Sequence, residues 1–438
     1  MQTKIDFIEG NTKHCLMAMA LPMIAAMFLN MAYNLVDSLW IGNLLGETAY
    51  AALTNSTPII LILTSVAMGA TNGISILLSQ AIGAKNQKRV ERLIATSFIV
   101  AIVFSLMITF VLEIFLPYIL TVLNTPAETY DMAYSYLSIY VLGYLAVYLY
   151  LYFTAVLRSF GNSMFQAVAM LVSTVLNAIL DPVFIHFVGF HGAAIATLLS
   201  QGVCLIFMVV YLKRKQLFSL HITWFDEADI LPLIGKALPS VVQQSIPAIS
   251  TTFLTALVST YSITAIAAYG ITGKLEMILF YPAMALNMVL TTIVGQCIGG
   301  QRIDRAKDYL KCALKYGCIL LFILSVVIVI FSRQLSGFFV SNTDVATIVG
   351  VYFLTVSIGY VLNTVTNCFL GVLNGLGKPA KSMLLMIFYY IIVRMPLAYL
   401  LSFLGFGLNG IWVAVLVSHI CAAVASMLVS LLQIKSKK

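Results

Sequence analysis

Three acids sit where an apolar chain can least accommodate them. Asn30, Asn34 and Asp37 follow one another at i, i+4 and i+7, so a helix carries them as one polar stripe on an apolar surface. Thr174, Asn177 and Asp181 repeat the device at i, i+3 and i+7. Pro182 frees the carbonyl of Ala178 beside them, because proline has no backbone donor. A carboxylate, an amide and a spare carbonyl suit a proton relay or a hard cation. A carboxylate at membrane depth costs about 3 kcal/mol on insertion scales, so it faces a bundle interior or water. Low dielectric favours its neutral form, which suits a group that loads and releases protons. Glu276 is the deeply placed acid of the second half. Lys274, two residues away, points to another face. Glu276 therefore either attracts a cationic cargo or pairs through the bundle with Lys274 or Arg394.

Softer side chains recur near these acids. Tyr136, Tyr140, Tyr144, Tyr148 and Tyr152 run at steps of four, as do Met19, Met23, Met27 and Met31. Aromatic faces hold organic cations and methionine makes an adaptable wall, but the same stripes also describe core packing and an interfacial aromatic belt. On an ideal helix a step of four drifts about 40°, so no single face would carry all five tyrosines.

The elements that must position these groups follow from composition. Hydrophobic residues make up 61% of the 438 and charged residues only 9%, against about 25% charged in a soluble domain. Long uncharged runs give twelve spans, roughly 14–38, 49–78, 93–116, 131–157, 164–188, 192–212, 232–260, 264–298, 310–331, 346–373, 379–404 and 409–433. Their length and lack of alternation predict an all-α integral membrane bundle rather than a barrel. The first span is expected to double as the targeting signal.

The net charge of +8 is distributed as a topology signal. With a cytoplasmic N-terminus, 21 of the 24 Lys and Arg fall on the inner side. Arg333 alone falls outside, and Lys274 and Arg394 lie within spans. The positive-inside rule then places both termini in the cytoplasm of a cell whose inner (plasma) membrane holds the chain. The basic residues meet the lipid bilayer and its headgroups, and no nucleic acid partner is expected. Neither a P-loop nor a catalytic constellation is present, so the chain reads as a non-enzyme powered by an ion gradient. The seven scattered cysteines suggest neither a metal nor a disulfide.

The chain also says much the same thing twice. Ser79-Gln80-Ala81-Ile82-Gly83-Ala84 recurs 216 residues later as Gly295-Gln296-Cys297-Ile298-Gly299-Gly300. Ala155-Val156-Leu157-Arg158-Ser159-Phe160-Gly161 recurs at the same offset as Gly371-Val372-Leu373-Asn374-Gly375-Leu376-Gly377. Gly189-Phe190-His191-Gly192 returns two residues out of step as Gly407-Leu408-Asn409-Gly410. Six spans per half make these parallel repeats, an N-lobe over 1–212 and a C-lobe over 232–438, joined by a polar cytoplasmic linker over 213–231. The acids are not duplicated: Asp37 aligns with Leu254, and Asp181-Pro182 with Met395-Pro396.

Twelve spans in a 6 + 6 repeat, Val36-Asp37-Ser38 running to Ile41-Gly42, Gln80-Ala81-Ile82-Gly83 and Asn177-Ala178-Ile179-Leu180-Asp181-Pro182 together resemble the MATE (multidrug and toxic compound extrusion) family. Arg394-Met395-Pro396-Leu397-Ala398-Tyr399 and Glu276 resemble its MepA-like branch. The resemblance spans the whole chain and implies a V-shaped pair of lobes. It also implies a monomeric antiporter that exports cationic or lipophilic small molecules against entering H+ or Na+, with no other cofactor. It puts ion coupling at Asp37, Asn177, Asp181 and Thr197 with the carbonyl of Ala193, and a metal role for Asp37, Asn177 and Asp181 if the ion is sodium. The expected cargo contacts are Glu276, Asn30, Asn34, Tyr33, Met27, Tyr140 and Tyr144. The seventh span offers Gln243 and Gln244 and the tenth Asn363 and Asn367, where the NorM-type pattern has acids, which argues against a C-lobe cation site of that type. The competing reading is a lipid-linked oligosaccharide flippase, which would need more central Arg and Lys than Lys274 and Arg394.

Overall fold

A computed structural model describes residues 5–123, 125–215, 222–339 and 342–436. Lys4, His221, Lys437 and Lys438, which figure in the charge and linker readings, lie outside the described residues. Among the described residues there is no strand. The first half holds α1 (Thr12–Leu45), α2 (Glu47–Gly83), α3 (Gln87–Val122), α4 in two arms (Ala127–Leu142 and Tyr144–Ser159), α5 (Met164–Val188) and α6 (Phe190–Lys215). The second holds α7 (Ile230–Ser259), α8 (Ile263–Gly299), α9 (Ile303–Gly337), α10 (Thr343–Gly375), α11 (Pro379–Met386 continuing through Ile387–Arg394, Met395–Leu401 and Ser402–Phe406) and α12 (Gly407–Lys435).

Among the described residues, ten helices are long and apolar enough to cross a membrane, and the two arms of α4, bent by 49°, pass the same test together. The last of the ten, Pro379–Lys435, contains 57 residues. Straight, it would run about 86 Å against a hydrocarbon core of about 30 Å. It is broken at Gly405, whose φ is +91°, and so makes two spans. Side-chain caps close several exposed helix starts: Asn86 accepts from Arg89 N, Ser262 from Ala265 N, and Asn342 from Asp344 N and Val345 N.

The sequence repeat is legible in the backbone. Left-handed residues recur 216 apart at Lys85 and Gln301 and at Gly161 and Gly377, each in the turn that ends a helix. Gly189 and Gly407 form a third such pair at the shifted register.

The chain divides into two compact units. One comprises Leu21–Ile82 and Asn86–Ala237; the other comprises Asp6–Ala20, Gly83–Lys85 and Leu238–Lys438. In the first, the arm Tyr144–Ser159 is largely buried, and α4 packs on α3 and α6. All five tyrosines of the i+4 series are buried. An unbroken helix half-exposed to lipid would have turned some outward, but α4 bends at Gly143 and its second arm is enclosed on most sides. Gly143 lets α6 approach closely there, since a Cβ would meet the Leu198 side chain and force it to shift. Residues 226–229 are pinned to this unit as well: Arg92 on α3 pairs with Asp226 at 2.9 Å and with Asp229 at 2.7 Å.

In the second unit, α8, α10 and α12 enclose a core that includes Leu279, Val349, Phe353, Val356, Ile411 and Trp412. The chain's beginning belongs to this unit. Phe7 is buried beside Tyr309, and Arg305 on α9 donates to Thr12 Oγ1 at 2.9 Å and to the carbonyls of Phe7 and Gly10. Cys297 Sγ lies 3.9 Å from the Phe7 carbonyl. Gly83 packs equally tightly, because a Cβ there would overlap the Gln296 carbonyl. Backbone cannot swing aside as a side chain can, so Gly83→Val is expected to lower stability by about 3 kcal/mol or more. The folded fraction and unfolding midpoint in detergent measure this; an unchanged midpoint would refute the close packing.

Candidate functional site

Helices α1, α4, α5 and α6 bring the first unit's acids together. Asp37, near the far end of α1, is 8% exposed, and Asn177 and Asp181 on α5 are fully buried. Asn177 Nδ2 donates to Asp181 Oδ1 at 2.9 Å, which the i, i+4 spacing of the two residues permits. The Asp37 and Asp181 carboxyls lie close enough to hydrogen-bond once either is protonated. Pro182 leaves α5 continuous from Met164 to Val188. Thr174 ties this helix to α1, its Oγ1 lying 3.4 Å from the Leu29 carbonyl.

Around the acids stands a ring of hydroxyls. Tyr33, five per cent exposed, has its Oη 3.3 Å from Ser200 Oγ on α6, and Ser200 in turn donates to the Thr197 carbonyl at 2.9 Å. Thr197 is buried beside Tyr33, and Ala193 is buried one turn earlier on α6. Tyr136 lies within electrostatic reach of Asp37, Tyr33 and Asp181. Among the described residues, three acceptor oxygens, Asp37 Oδ1, Asn177 Oδ1 and Asp181 Oδ2, are buried without a donor. Buried acceptors of this kind are costly. Two carboxylates this close repel, and a proton or a hard cation taken up among these oxygens relieves both penalties. The chemistry of the donor set, all oxygen and doubly acidic, fits either ion.

The structure separates the remaining candidates. Asn30 is half-buried and Asn34 exposed, and Asn34 Nδ2 donates to the Asn30 carbonyl at 2.8 Å, within its own helix. Of the stripe, Asp37 alone turns into the cluster. Met27 is buried in the first unit. Tyr140 and Tyr144 lie against α2: Tyr144 Oη donates to the Leu63 carbonyl at 2.9 Å, and Tyr140 neighbours Thr64.

Glu276 on α8 belongs to the second unit. It accepts hydrogen bonds from the hydroxyls of Tyr352 and Tyr360 on α10, which are 3.3 Å apart. Tyr352 meets the Trp412 ring edge-on at 4.8 Å, and Tyr269 stacks on Trp412 at 5.7 Å. Neither basic residue named as a partner forms an ion pair with it among the described residues. Lys274 sits 5.2 Å over the Phe339 ring. Arg394 donates to Ser418 Oγ at 2.8 Å, meets His419 Nε2 at 3.3 Å and stacks on Tyr390 at 4.3 Å. Arg394 ends the π-helical stretch Ile387–Arg394, whose wide turns are often found at working sites. Arg394 lies within electrostatic reach of Glu276 without pairing with it directly, so this carboxylate, framed by aromatic rings, keeps the capacity to attract a cation.

Sequence reasoning did not single out Ser200, Tyr269, Tyr352, Tyr360, Trp412 or His419. Tyr269 precedes Glu276 by seven residues on α8, a same-face spacing that could have pointed to it, whereas the others lie on helices remote in sequence, where only packing reveals them.

A family model described as MatE matches residues 22–183 and 239–400. Over 434 residues the chain is 27% identical to the probable multidrug resistance protein YpnP of Bacillus subtilis, covering 97% of this chain and 96% of that one. It is 24% identical over 426 residues to the multidrug export protein MepA of Staphylococcus aureus, covering 95% and 93%. The fold superposes on the Vibrio cholerae MATE transporter VcmN, solved as an aspartate-to-asparagine mutant, with a TM-score of 0.93 at 23% identity over 97% of each chain.

Proposed function

Since the chain belongs to the MatE family and is accordingly a multi-span membrane transporter, we propose that it is a secondary antiporter that expels cationic or lipophilic small molecules as protons or sodium ions enter. The observation that carries this reading is the buried cluster of Asp37, Asn177 and Asp181, with its donorless oxygens, in one unit only. Thr197 and the Ala193 carbonyl complete the ion's surroundings. Loading the cluster removes the repulsion between two carboxylates and so changes which packing of α1 against α5 and α6 is stable. A ligand shifts such an equilibrium only by its differential affinity, and a charge-neutralising ion has a large one.

Glu276, in its frame of Tyr352, Tyr360 and Trp412, attracts the cationic end of the cargo. Taken by itself, the first unit is proposed to offer cargo contacts at Tyr33, Met27, Asn30, Asn34, Tyr140 and Tyr144. The names that YpnP and MepA carry favour drug efflux over lipid-linked oligosaccharide flipping. The chain works in the plasma membrane as a monomer, with both termini in the cytoplasm and its lobes divided by the 213–231 linker.

The test is efflux of an organic cation from proteoliposomes under separately imposed pH and sodium gradients. Transport that follows one of the two gradients is expected. Equal rates with and without both gradients would overturn the proposal.

A further inference from the structure

A basic recess lies on the second unit, away from every acid considered above. Its volume is about 450 Å³, and it is lined by Asn11, Lys13, Asp308, Lys311, Lys315 and Tyr316, together with Thr12 and Cys312. Two ammonium groups converge on one ring: Lys13 Nζ lies 5.1 Å from the Tyr316 centroid and Lys315 Nζ 5.7 Å. Among the described residues, Lys13, Lys311 and Lys315 form no ion pair within 4 Å. Nearby arginines are already engaged, Arg302 with Asp304 at 2.8 Å and Arg305 with Thr12 and the carbonyls of Phe7 and Gly10. Among the described residues Asp308 is the only acid in its wall, so the lining side chains carry a net charge of +2.

Its depth in the membrane can be read from the helices. On α9 the charges Asp304, Arg305, Lys307, Asp308, Lys311 and Lys315 are crowded into 303–315, and 316–332 carries none. That uncharged stretch is about 25 Å long, close to the hydrocarbon thickness. On α1, Lys13 is the last Lys, Arg, Asp or Glu before Asp37. The recess therefore stands where charge ends and hydrocarbon begins on both helices at once, and Tyr316 has the amphipathic ring typical of that level.

We propose that this recess binds the phosphate headgroup of an anionic phospholipid. Lys13, Lys311 and Lys315 neutralise the phosphodiester, Asn11 and Thr12 offer neutral hydrogen bonds, and the acyl chains descend along the uncharged part of α9. The lipid links the first turn of α1 to α9 beside the Arg305 clasp. A soluble phosphate lacks the acyl chains and would gain only the charge contacts.

The test uses the purified full chain in detergent with equimolar dioleoylphosphatidylglycerol and dioleoylphosphatidylcholine, and counts bound lipids by native mass spectrometry. A several-fold preference for phosphatidylglycerol is expected. Lys13→Gln/Lys311→Gln/Lys315→Gln should reduce it about tenfold or more, whereas Lys85→Gln/Lys88→Gln/Arg89→Gln, basic but elsewhere, should leave it intact. Gel filtration establishes that both variants are folded. Retained preference in the first variant, or equal loss in the second, would overturn the proposal. Displacement of the lipid by glycerol 3-phosphate at matched concentration would also overturn it, by making a free phosphate the ligand.

Discussion

Asp181→Asn protein is expected to insert and fold normally while its gradient-driven efflux falls about tenfold to a hundredfold, the range of an ordinary coupling free energy. Folding should survive because an asparagine at 181 keeps an acceptor oxygen for Asn177 Nδ2, which now reaches Asp181 Oδ1 at 2.9 Å. What it removes is the second negative charge, and with it the repulsion that makes the ion-free and ion-loaded cluster differ. Asp37→Asn should act in the same direction, since Asp37 and Asp181 lie within electrostatic reach of each other. The double variant should be little worse than either single one, because each breaks the same unit. Initial efflux rates in proteoliposomes, normalised to inserted protein, decide the matter. Near-normal rates for both single variants would remove the first unit's cluster from the coupling mechanism.

The second large effect concerns cargo rather than ion. Glu276→Gln should weaken retention of a monovalent organic cation about thirtyfold, the low end for removing one member of a buried charge pair. A neutral lipophilic substrate should be affected less than threefold. Glutamine keeps an acceptor for Tyr352 and Tyr360, so the aromatic frame should persist and the loss should report charge. Tyr352→Phe should cost only about fivefold, near the value of one ordinary hydrogen bond. Binding curves for a matched cationic and neutral pair read this directly. Parallel loss for both members of the pair would make Glu276 a structural residue.

How much of this was legible in the sequence depended on whether the signal was local. Asn177 and Asp181 are four residues apart on one helix, so periodicity alone predicted that they meet. Asp37 and Asp181 are separated by more than a hundred residues, and their meeting depended on how α1 packs against α5. The polar stripe on α1 was only partly informative. Asp37 is buried, yet Asn34 is exposed and bonds to its own helix, because a seven-residue stripe is wide enough to straddle an edge of the packed face. Hydropathy found the spans well but missed the break inside the fourth, since Gly143 is as apolar as its neighbours and its role is steric. Its repeat counterpart, Gly359, sits in the unbroken α10, where a Cβ would lie 2.9 Å from the His419 ring. The duplicated glycine marks a close approach in both halves, and a bend in only one. For Glu276, the candidate partners in sequence were basic, and the observed ones are tyrosines, whose hydroxyls no charge-based reading selects.

The placement of Asp6–Ala20 in the second unit has a consequence for synthesis. Phe7 and Thr12 leave the ribosome about 290 residues ahead of their partners Cys297 and Arg305. At about 5–20 residues per second, the leading segment waits about 15–60 s for the surface that buries Phe7. Throughout that interval Phe7 and the carbonyls of Phe7 and Gly10 await the α8 and α9 side chains that engage them. Maturation of this unit therefore closes late: the segment around Phe7 finds its place only after α9 has been made.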